Sequence, residues 1–436
     1  MNLQICFRTC AFVLATACAQ NAGAQRPLTL RALLDSVRTT HPAMRAADNR
    51  VRAAEGSRAT ARTFGNPVLG YQVDQTPLPG GRPLPGDMER EAMTTATLPL
   101  EFLYQRGPRV ARANADVRAA EADATGARQR LALDASAAFY RAGLAQARSA
   151  TTHDLLGWLD TLVIYNRSRV EEGAAAEVDL IRSELERDRV AAEASMQDAD
   201  LAQARAALSA FVSDGGRPAP MPVVIMADAP LPLPPILPDL PSQTAIDARS
   251  DVRAARERVT SANAGVSSER SMLVRQLGAT IGTMQTGRTT SMIAGLSVPL
   301  PLLDQNRGEV ERARAEREVA TFELATQVRV AAADIRGAYE AARILTDRAA
   351  ILARRDSTSF LARADESRCI ALGAYREGAV PLFQVIDAAR SWADARNTYF
   401  ATIAAQHESI LILLAATGTD LFTAIPAQTS NEGGLR

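Results

Sequence analysis

The chain repeats itself at a distance of about 200 residues. The triplet Glu172-Gly173-Ala174 returns as Glu377-Gly378-Ala379, and Leu98-Pro99-Leu100 returns in similar form as Val298-Pro299-Leu300. Offsets that stay near this value through most of the chain indicate a tandem duplication with a few insertions and deletions. A duplication constrains the fold before any local pattern does, because two copies can supply matching parts of one closed, pseudo-symmetric object.

The composition limits the class of protein. The chain has 436 residues, enough for two or three ordinary domains or one elongated structure. Charged residues make up 22% and balance to a net charge of +0, which excludes the basic surface of a nucleic-acid-binding protein. Aromatic residues make up only 5%, and alanine is abundant, which is typical of long and closely packed helices.

The N-terminus predicts export. Arg8 provides a positive start, residues 11–19 are apolar, and Ala22-Gly23-Ala24 is a small-residue cleavage motif, so residues 1–24 are expected to be a signal peptide. An alternative is lipidation at Cys18. Nothing after residue 24 forms an apolar run of about 18 or more residues, so we expect any membrane-spanning part to consist of strands.

Cysteine and histidine give no sign of a metal site, a cofactor or an enzyme. Cys369 is the only cysteine certain to remain once a signal peptide is removed, and a single thiol forms no intrachain disulfide. His41, His153 and His407 have no spacing typical of metal ligands or of a catalytic base. We therefore expect neither a bound metal nor enzymatic activity.

Each copy contains two segments in which apolar residues alternate. In the first copy these are residues 67–75 and 92–100, and in the second copy residues 277–281 and 292–300. Strands of about 9–11 residues with one apolar face have the length and pattern of transmembrane β-strands. The alternative is an amphipathic hairpin that packs on a soluble core.

Long helices fill the rest of each copy. Helical patterning covers residues 30–62, 105–170 and 174–211, and in the second copy residues 307–376 and 380–416. The segment 105–170 would reach roughly 100 Å as one continuous helix. Such helices are also compatible with an ordinary soluble coiled coil.

The predicted organisation has five parts. The nine prolines of residues 214–241 prevent a helix there and indicate an extended linker. The predicted boundaries are a signal peptide at 1–24, a first repeat at 25–213, a linker at 214–241, a second repeat at 242–422 and a disordered tail at 423–436.

Four strands per chain are too few for a closed membrane barrel, whose smallest bacterial examples have about eight. An open sheet edge is not tolerated in lipid, because its backbone groups would lack partners. The strands must therefore come from several chains, and three chains would give twelve. The predicted fold class is mainly α with a small β part, in which an oligomeric β-barrel continues into a long helical tube.

The chain resembles the TolC-like outer-membrane efflux proteins over nearly its whole mature length. The resemblance rests on the strand ends at 98–100 and 298–300. It also rests on Glu172-Gly173-Ala174 followed by Val178-Asp179-Leu180, and on residues 375–379 followed by residues 385–388. It implies a homotrimer with a twelve-stranded barrel in the outer-membrane lipid and a helical conduit through the periplasm.

The resemblance also implies a function. The chain would be the passive exit duct of a tripartite efflux system, working with a periplasmic adaptor protein and an inner-membrane transporter of RND type. Metal cations or small toxic compounds are the expected cargo. Alternatives are a type I protein or peptide secretion channel and, from a different class, a periplasmic coiled-coil scaffold.

Two glycines are expected to reverse the chain between antiparallel helices. Gly173 and Gly378 interrupt helical runs, and glycine adopts positive φ without a Cβ clash. By resemblance, these turns are the tips that contact the adaptor. Ala174 and Ala379 follow where the family often carries a larger apolar residue.

By resemblance, the pore gate matches Asp387 and Asp179, of which three copies around an axis would form acidic rings. Gln384 stands where a second ring carboxylate is common. Tyr375 matches a tyrosine that hydrogen-bonds toward the position of Asp179, and Val380 replaces an arginine that usually strengthens this contact. The alternative is that both aspartates are solvated carboxylates on a helix surface.

Overall fold

The structure is a computed structural model. It describes residues 27–74, 91–214, 217–218, 222–227, 229–234, 242–274, 277–354, 356 and 359–424. The predicted signal peptide with Cys18 lies outside the described residues, as does the predicted tail beyond Ala424.

One series of elements occurs twice along the chain. In the first repeat the elements are α1 (Leu30–Thr40), α2 (Pro42–Arg62), β1 (Val68–Asp74), β2 (Glu91–Pro99), a 3-10 turn (Glu101–Leu103), α3 (Arg106–Glu171) and α4 (Glu177–Ser209). Two short strands, β3 (Ser213–Asp214) and β4 (Arg217–Pro218), follow. In the second repeat they are α5 (Gln243–Ala248), α6 (Ser250–Ser271), β5 (Gly278–Thr286), β6 (Thr289–Ser297), α7 (Arg307–Leu352), α8 (Phe360–Arg376), α9 (Leu382–Ala416) and α10 (Leu421–Ala424).

The first predicted helix is in fact two helices. Thr29 caps α1, and its hydroxyl accepts a hydrogen bond from the backbone N–H of Ala32. The helix ends at His41, whose backbone is extended (φ −69°, ψ 130°). Pro42 causes this break, because proline disfavours the helical conformation in the residue before it. The prediction of one continuous helix over 30–62 was wrong here.

The two repeats differ in their longest helix. α3 runs for 66 residues without interruption, about 100 Å at the usual rise per residue. The prediction of an equally continuous helix over 307–376 was wrong, because α7 ends at Leu352 and α8 starts at Phe360. Ser359 caps α8 by accepting a hydrogen bond from the N–H of Ala362. Short polar side chains such as Asp356 and Ser359 compete with the helical hydrogen bonds, which accounts for the break.

The helices form a bundle with α3 at its centre. α3 packs against α2 and α6 in its first half and against α4 and α9 in its second, while α7 lies against α6 and α9 and α8 lies against α9. Alanines at the contacts, such as Ala132, Ala135 and Ala142, are fully buried. Small side chains let the helix axes approach closely, and larger ones such as Phe139 and Leu208 fill the remaining space.

One helix is more apolar than expected from the sequence. α9 contains an 18-residue window with a mean hydropathy of 1.3, and 56% of that window is buried. The expectation that no such run exists was therefore wrong for α9. Its apolar side chains, including Ile403, Leu411 and Leu413, belong to the core that α9 forms with α3 and α7.

The described part of the proline-rich segment is fixed to the helices rather than free. Leu28 and Val224 form a parallel bridge, with Leu28 N–H donating to the carbonyl of Val223 at 2.8 Å. Gln406 of α9 accepts from the N–H of Leu231 and donates to its carbonyl. The segment therefore lies along α3 and α9 without forming a helix.

The four long strands form one antiparallel sheet in the order β1-β2-β5-β6. Gly287, with φ 59°, closes the tight β5–β6 hairpin. In the part of the chain that the structure describes, β1 and β6 are each paired on one side only. The sheet therefore has two open edges.

The register places the apolar alternation of all four strands on one face. Leu69 lies opposite Ala96, Ala96 opposite Ile281, and Ile281 opposite Ala294. Side chains on one face alternate with those on the other. The apolar face thus carries Leu69, Tyr71, Val73, Ala92, Ala96, Leu98, Ala279, Ile281, Met292, Ala294 and Leu296, together with the polar residues Thr94, Thr283, Gln285 and Thr290.

The opposite face is mostly polar or small. Thr97 and Thr280 share a hydrogen bond of 2.9 Å there. The face consists of Gln72, Asp74, Glu91, Thr95, Thr97, Thr280, Thr286, Thr289, Ser291 and Ser297, several glycines, and Val68, Met93, Pro99, Met284 and Ile293. A sheet with one exposed apolar face and one largely polar face joins the ends of the helices.

Candidate gate at the tips of the helical hairpins

The first helical hairpin, α3–α4, turns at Gly173. This residue has φ 72°, and its N–H donates to the carbonyl of Val170 at 3.0 Å. The N–H of Ala174 reaches back to the carbonyl of Arg169 at 2.7 Å. These two bonds form a Schellman motif, which satisfies carbonyls that the helix end leaves without partners.

The second hairpin, α8–α9, turns in the same way at Gly378, which has φ 75°. Its N–H donates to the carbonyl of Tyr375 at 3.0 Å, and that of Ala379 donates to Ala374 at 2.8 Å. A Cβ added at Gly173 or Gly378 would meet nothing within 4 Å. Glycine is therefore selected at both tips by the positive φ alone. Ala174 and Ala379 are exposed.

The predicted gate residues lie just beyond the tips. Asp179 and Gln384 are the third residues of α4 and α9, and their N–H groups donate to Ala176 and Pro381 at 3.0 and 3.1 Å. They are structural equivalents. Asp387 lies one turn further along α9 and is exposed, as Gln384 is, whereas Asp179 is half-buried.

The tyrosine contact has a different partner from the expected one. Tyr375 is 5% exposed, and its hydroxyl donates to Oδ1 of Asn166, at 2.8 Å. The expectation that it bonds toward Asp179 is corrected here, because Asn166 lies directly against it on α3. Asp179 still acts on Tyr375 through its charge. Burial, and then that charge, raise the pKa of the Tyr375 hydroxyl.

An arginine lies against this tyrosine although position 380 is valine. The Arg169 guanidinium carbon is 5.6 Å from the ring centre of Tyr375 and 5.7 Å from that of Tyr165. Arg169 also donates to the carbonyl of Ala174 at 3.1 Å. It therefore joins the first tip to the tyrosine of the second hairpin through cation–π contacts.

A half-buried ion pair forms a second link between the hairpins. Glu186 of α4 is only 8% exposed, and both of its carboxylate oxygens accept from Arg390 of α9, the Nε bond being 2.7 Å long. This fork-to-fork geometry is the strong form of the arginine–carboxylate pair. The carboxylate of Glu186, and to a lesser extent that of Asp387, raise the pKa of Arg390.

A tryptophan cluster forms the third link. The Nε1 of Trp392 donates to Asp365 of α8 at 2.5 Å, and Arg368 and Arg396 lie over its ring at 4.1 and 4.9 Å. Arg396 also reaches Asp154 of α3 at 3.0 Å. The cluster thus connects α8, α9 and α3.

Sequence reasoning found the tips but missed these links. Leu155, Leu159 and Leu162 mark the buried stripe of α3, and Asn166 occupies the next position of that stripe. A polar residue at a core position is a detectable signal. Its Nδ2 has no hydrogen-bond partner among the described residues. The sequence around Glu186 and Arg390 contains no signal that their side chains form an ion pair.

The described residues contain no group of three or more His, Cys, Asp or Glu side chains able to hold a metal ion. Cys369 is exposed and free. The polar groups at the hairpin tips can thus hold two helical hairpins together and present carboxylates to solvent.

The family model described as outer membrane efflux protein matches residues 242–419. The nickel-cobalt-cadmium resistance protein NccC of Alcaligenes xylosoxydans xylosoxydans is 25% identical over 274 residues, which is 62% of this chain. The match spans 60% of the length of that relative.

Solved structures share the fold over most of the chain. CusC, described as undergoing transmembrane channel formation, superposes with a TM-score of 0.74 and 18% identity, over 90% of this chain and 92% of its own. The outer membrane protein VceC of Vibrio cholerae gives a TM-score of 0.72 and 18% identity, over 89% and 96%. At these identities the likeness establishes the fold.

Proposed function

We propose that this chain, a member of the outer membrane efflux protein family through residues 242–419, is the outer-membrane exit channel of a tripartite efflux system. Three copies would form a twelve-stranded barrel in the outer membrane and a helical tube in the periplasm. The channel would be passive, with energy supplied by an inner-membrane transporter of RND type and the junction made by a periplasmic adaptor. The family and the structural neighbours are channels rather than enzymes.

The observation that carries this proposal is the exposed apolar face of the sheet. Leu69, Tyr71 and Leu296 are 77%, 71% and 65% exposed, and the register aligns them with the other apolar residues of the face. None of the helices that the structure describes covers this face. Lipid is the solvent for such a surface, and the polar opposite face suits a water-filled lumen.

The open edges of the sheet support assembly from several copies. Backbone N–H and C=O groups at a sheet edge cannot stay without partners in lipid. Pairing β6 of one copy with β1 of the next would remove both edges and, with three copies, would close a ring of twelve strands. The 66-residue helix α3 would then run from the membrane about 100 Å into the periplasm.

The hairpin tips are the proposed gate and adaptor contact. Gly173, Ala174, Gly378 and Ala379 form two exposed turns at the end of the tube farthest from the sheet. Around a threefold axis, Asp387 would form an acidic ring that favours cations, with Asp179 and Gln384 near it. Tyr375 would hold the second hairpin against the first in the closed state.

Metal cations are the proposed cargo class. The relative NccC is named for nickel, cobalt and cadmium resistance, and acidic rings in a pore select for cations. Expression of the chain together with an inner-membrane RND transporter and a periplasmic adaptor in a metal-sensitive host tests this. Unchanged tolerance to nickel, cobalt and cadmium would reject metal cations as cargo.

The channel itself is tested by two arginine substitutions at neighbouring positions of β6. Ala294→Arg puts the charge on the apolar face, and Gly295→Arg puts it on the opposite face, where an added Cβ meets nothing within 4 Å. We expect Ala294→Arg to destabilise the barrel by about 2–4 kcal/mol and Gly295→Arg to have little effect. The measurement is the amount of trimer recovered from the outer-membrane fraction and its dissociation temperature.

Equal effects of the two substitutions would contradict a lipid-facing surface. Recovery of the wild-type protein in a soluble periplasmic fraction without detergent would instead support the coiled-coil scaffold.

A further inference from the structure

An exposed leucine lies where each hairpin of the sheet meets its long helix. Leu303 is 101% exposed and Leu103 is 65% exposed. They are 200 residues apart, the same offset that relates Leu98-Pro99-Leu100 to Val298-Pro299-Leu300. Both repeats therefore keep an exposed leucine at the same place.

A second apolar side chain accompanies each leucine, at the point where the chain enters the hairpin. Phe64 precedes β1 and is 61% exposed, and Leu273 precedes β5 and is 43% exposed. Phe64 stacks edge-on against Phe102 at 5.5 Å. In the second repeat, Leu273 and Leu302 line a shallow apolar groove of about 480 Å³.

Arginines follow the leucines at the start of each long helix. Arg106 is the first residue of α3, and Arg307 is the first residue of α7. The Arg106 guanidinium lies over the ring of Phe64, 5.0 Å from its centre. Along each repeat the order is thus apolar strand, exposed leucine, arginine. This is the order of a membrane boundary, in which hydrocarbon gives way to phosphate.

We infer that these residues form a collar that seats the periplasmic end of the barrel in the phospholipid leaflet of the outer membrane. Leu103, Leu303, Phe64 and Leu273 would lie in the outer part of the acyl chains, and Arg106 and Arg307 at the level of the phosphates. The inference rests on the proposed function, because it requires the sheet to be in a membrane.

The sheet topology distinguishes lipid from a second copy of the chain as the covering group. β2 is paired on both sides, by β1 and by β5 of the same chain, so Leu103 follows an interior strand. A neighbouring copy that adds its strand at the β6 edge would reach Leu303 but not Leu103. Lipid around the whole barrel covers both leucines, and it continues the apolar face that ends at Leu98 and Leu296.

Tryptophan fluorescence in vesicles of brominated phosphatidylcholine tests the collar. The full-length protein has two tryptophans, Trp158 and Trp392, both in the tube far from the sheet. Leu103→Trp and Leu303→Trp would each add a signal that lipids brominated near the glycerol quench more than lipids brominated near the chain end. Arg106→Ala or Arg307→Ala in these variants should change the quenching ratio, because the depth anchor is lost.

Two controls separate the possible failures. Leu296→Trp on the apolar face should be quenched by both lipids, and Ile344→Trp, which replaces an exposed side chain of α7, should not be quenched. Quenching of Leu296→Trp without quenching at 103 and 303 would overturn the collar and leave the channel intact. Quenching at 103 alone would assign Leu303 to the seam between copies and also overturn the collar. No quenching of Leu296→Trp would reject the membrane barrel itself.

Discussion

The two hairpin tips have the same backbone and different side chains. Gly173 and Gly378 differ by 3° in φ (72° and 75°), and the hydrogen bonds around them match to within about 0.1 Å. Tyr375, however, corresponds to Val170, 205 positions earlier. The duplicated backbone builds two equivalent helical hairpins, the α3–α4 arm and the α8–α9 arm. The side chains that differ between them bind one arm to the other.

The arms also differ in how they are attached. α3 enters the first tip as one unbroken helix, whereas the second tip is carried by α8, a 17-residue helix separated from α7 by the break around Asp356. A continuous helix resists bending, and a break between helices provides a hinge. We therefore expect the α8–α9 arm to move when the tube opens and the α3–α4 arm to stay fixed.

The largest effect is expected from the ion pair between the arms. Glu186→Ala would leave the Arg390 guanidinium half-buried without its carboxylate partner and would destabilise the closed arrangement by about 2–4 kcal/mol. The measurement is the open fraction of single channels in planar bilayers, for which 1.4 kcal/mol corresponds to about a factor of ten.

Glu184→Ala is the matched control, because Glu184 pairs with Arg167 inside the first arm and both side chains are substantially exposed. Exposed pairs of this kind contribute little. If Glu184→Ala opened the channel as much as Glu186→Ala, the pair between the arms would have no special role.

A smaller effect is expected from the tyrosine. Tyr375→Phe removes the bond to Asn166 and leaves a buried amide with no partner on either end, at a cost of about 1–3 kcal/mol. Tyr165→Phe keeps the edge-on ring contact with Tyr375 and the contact with Arg169, and it should leave the open fraction unchanged. Equal behaviour of the two variants would show that the ring, and not the hydroxyl, holds the arms.

The same hydroxyl predicts a pH dependence. Burial raises the pKa of Tyr375 above its ordinary value of 10.0 while the two hairpins are packed together. The stability that the neutral Tyr375 hydroxyl gives to the packed arms is therefore complete below pH 10.0. It is lost as the pH rises through the raised pKa, because an exposed tyrosine ionises more readily. Open fraction measured against pH should rise in the alkaline range for the wild type, and that rise should be absent in Tyr375→Phe.

Substitution of the two glycines tests whether the backbones of the two tips are equivalent. Gly173→Ala and Gly378→Ala should each cost about 1–2 kcal/mol, because only the left-handed conformation penalises the new Cβ. Thermal unfolding followed by circular dichroism should give equal shifts for the two variants. Unequal shifts would mean that one tip has a contact within the assembly that the single chain does not contain.

The smallest effect is expected at Asp387, the residue of the proposed acidic ring. Asp387→Ala should weaken the block by divalent cations and raise single-channel conductance, and salt should reduce the difference because exposed charges are screened. Asp394→Ala, two turns further along α9 and also exposed, is the control. The same conductance and block in the wild type and Asp387→Ala would make Asp387 an ordinary surface carboxylate.

The sequence predicted much of the fold because strands and turns depend on local patterns. The alternation of Leu69, Tyr71 and Val73 fixes one face of β1, and glycines mark both tips. The break at Pro42 was not predicted, although the sequence indicates it, since proline restricts the residue before it. Short polar residues alone gave a weaker signal at the break before α8.

The links between the arms could not be predicted in the same way. Glu186 and Arg390 are 204 residues apart, and their contact depends on how two coiled coils rotate against each other. The hydrophobic repeat of Leu155, Leu159 and Leu162 indicates which side of α3 is buried, but not which side chain of another helix it meets. Asn166 is the exception, because a buried polar residue in that stripe needs a hydrogen-bond partner.

The Schellman turns have a consequence for evolution. At each tip the backbone needs one glycine and supplies its own hydrogen bonds, while the positions beside it, Ala174 and Ala379, are exposed. Substitutions there change the surface without disturbing the helices behind it. If the tips are the docking site, as proposed, a few point mutations there could exchange one partner for another, while the long helices remain a constant scaffold.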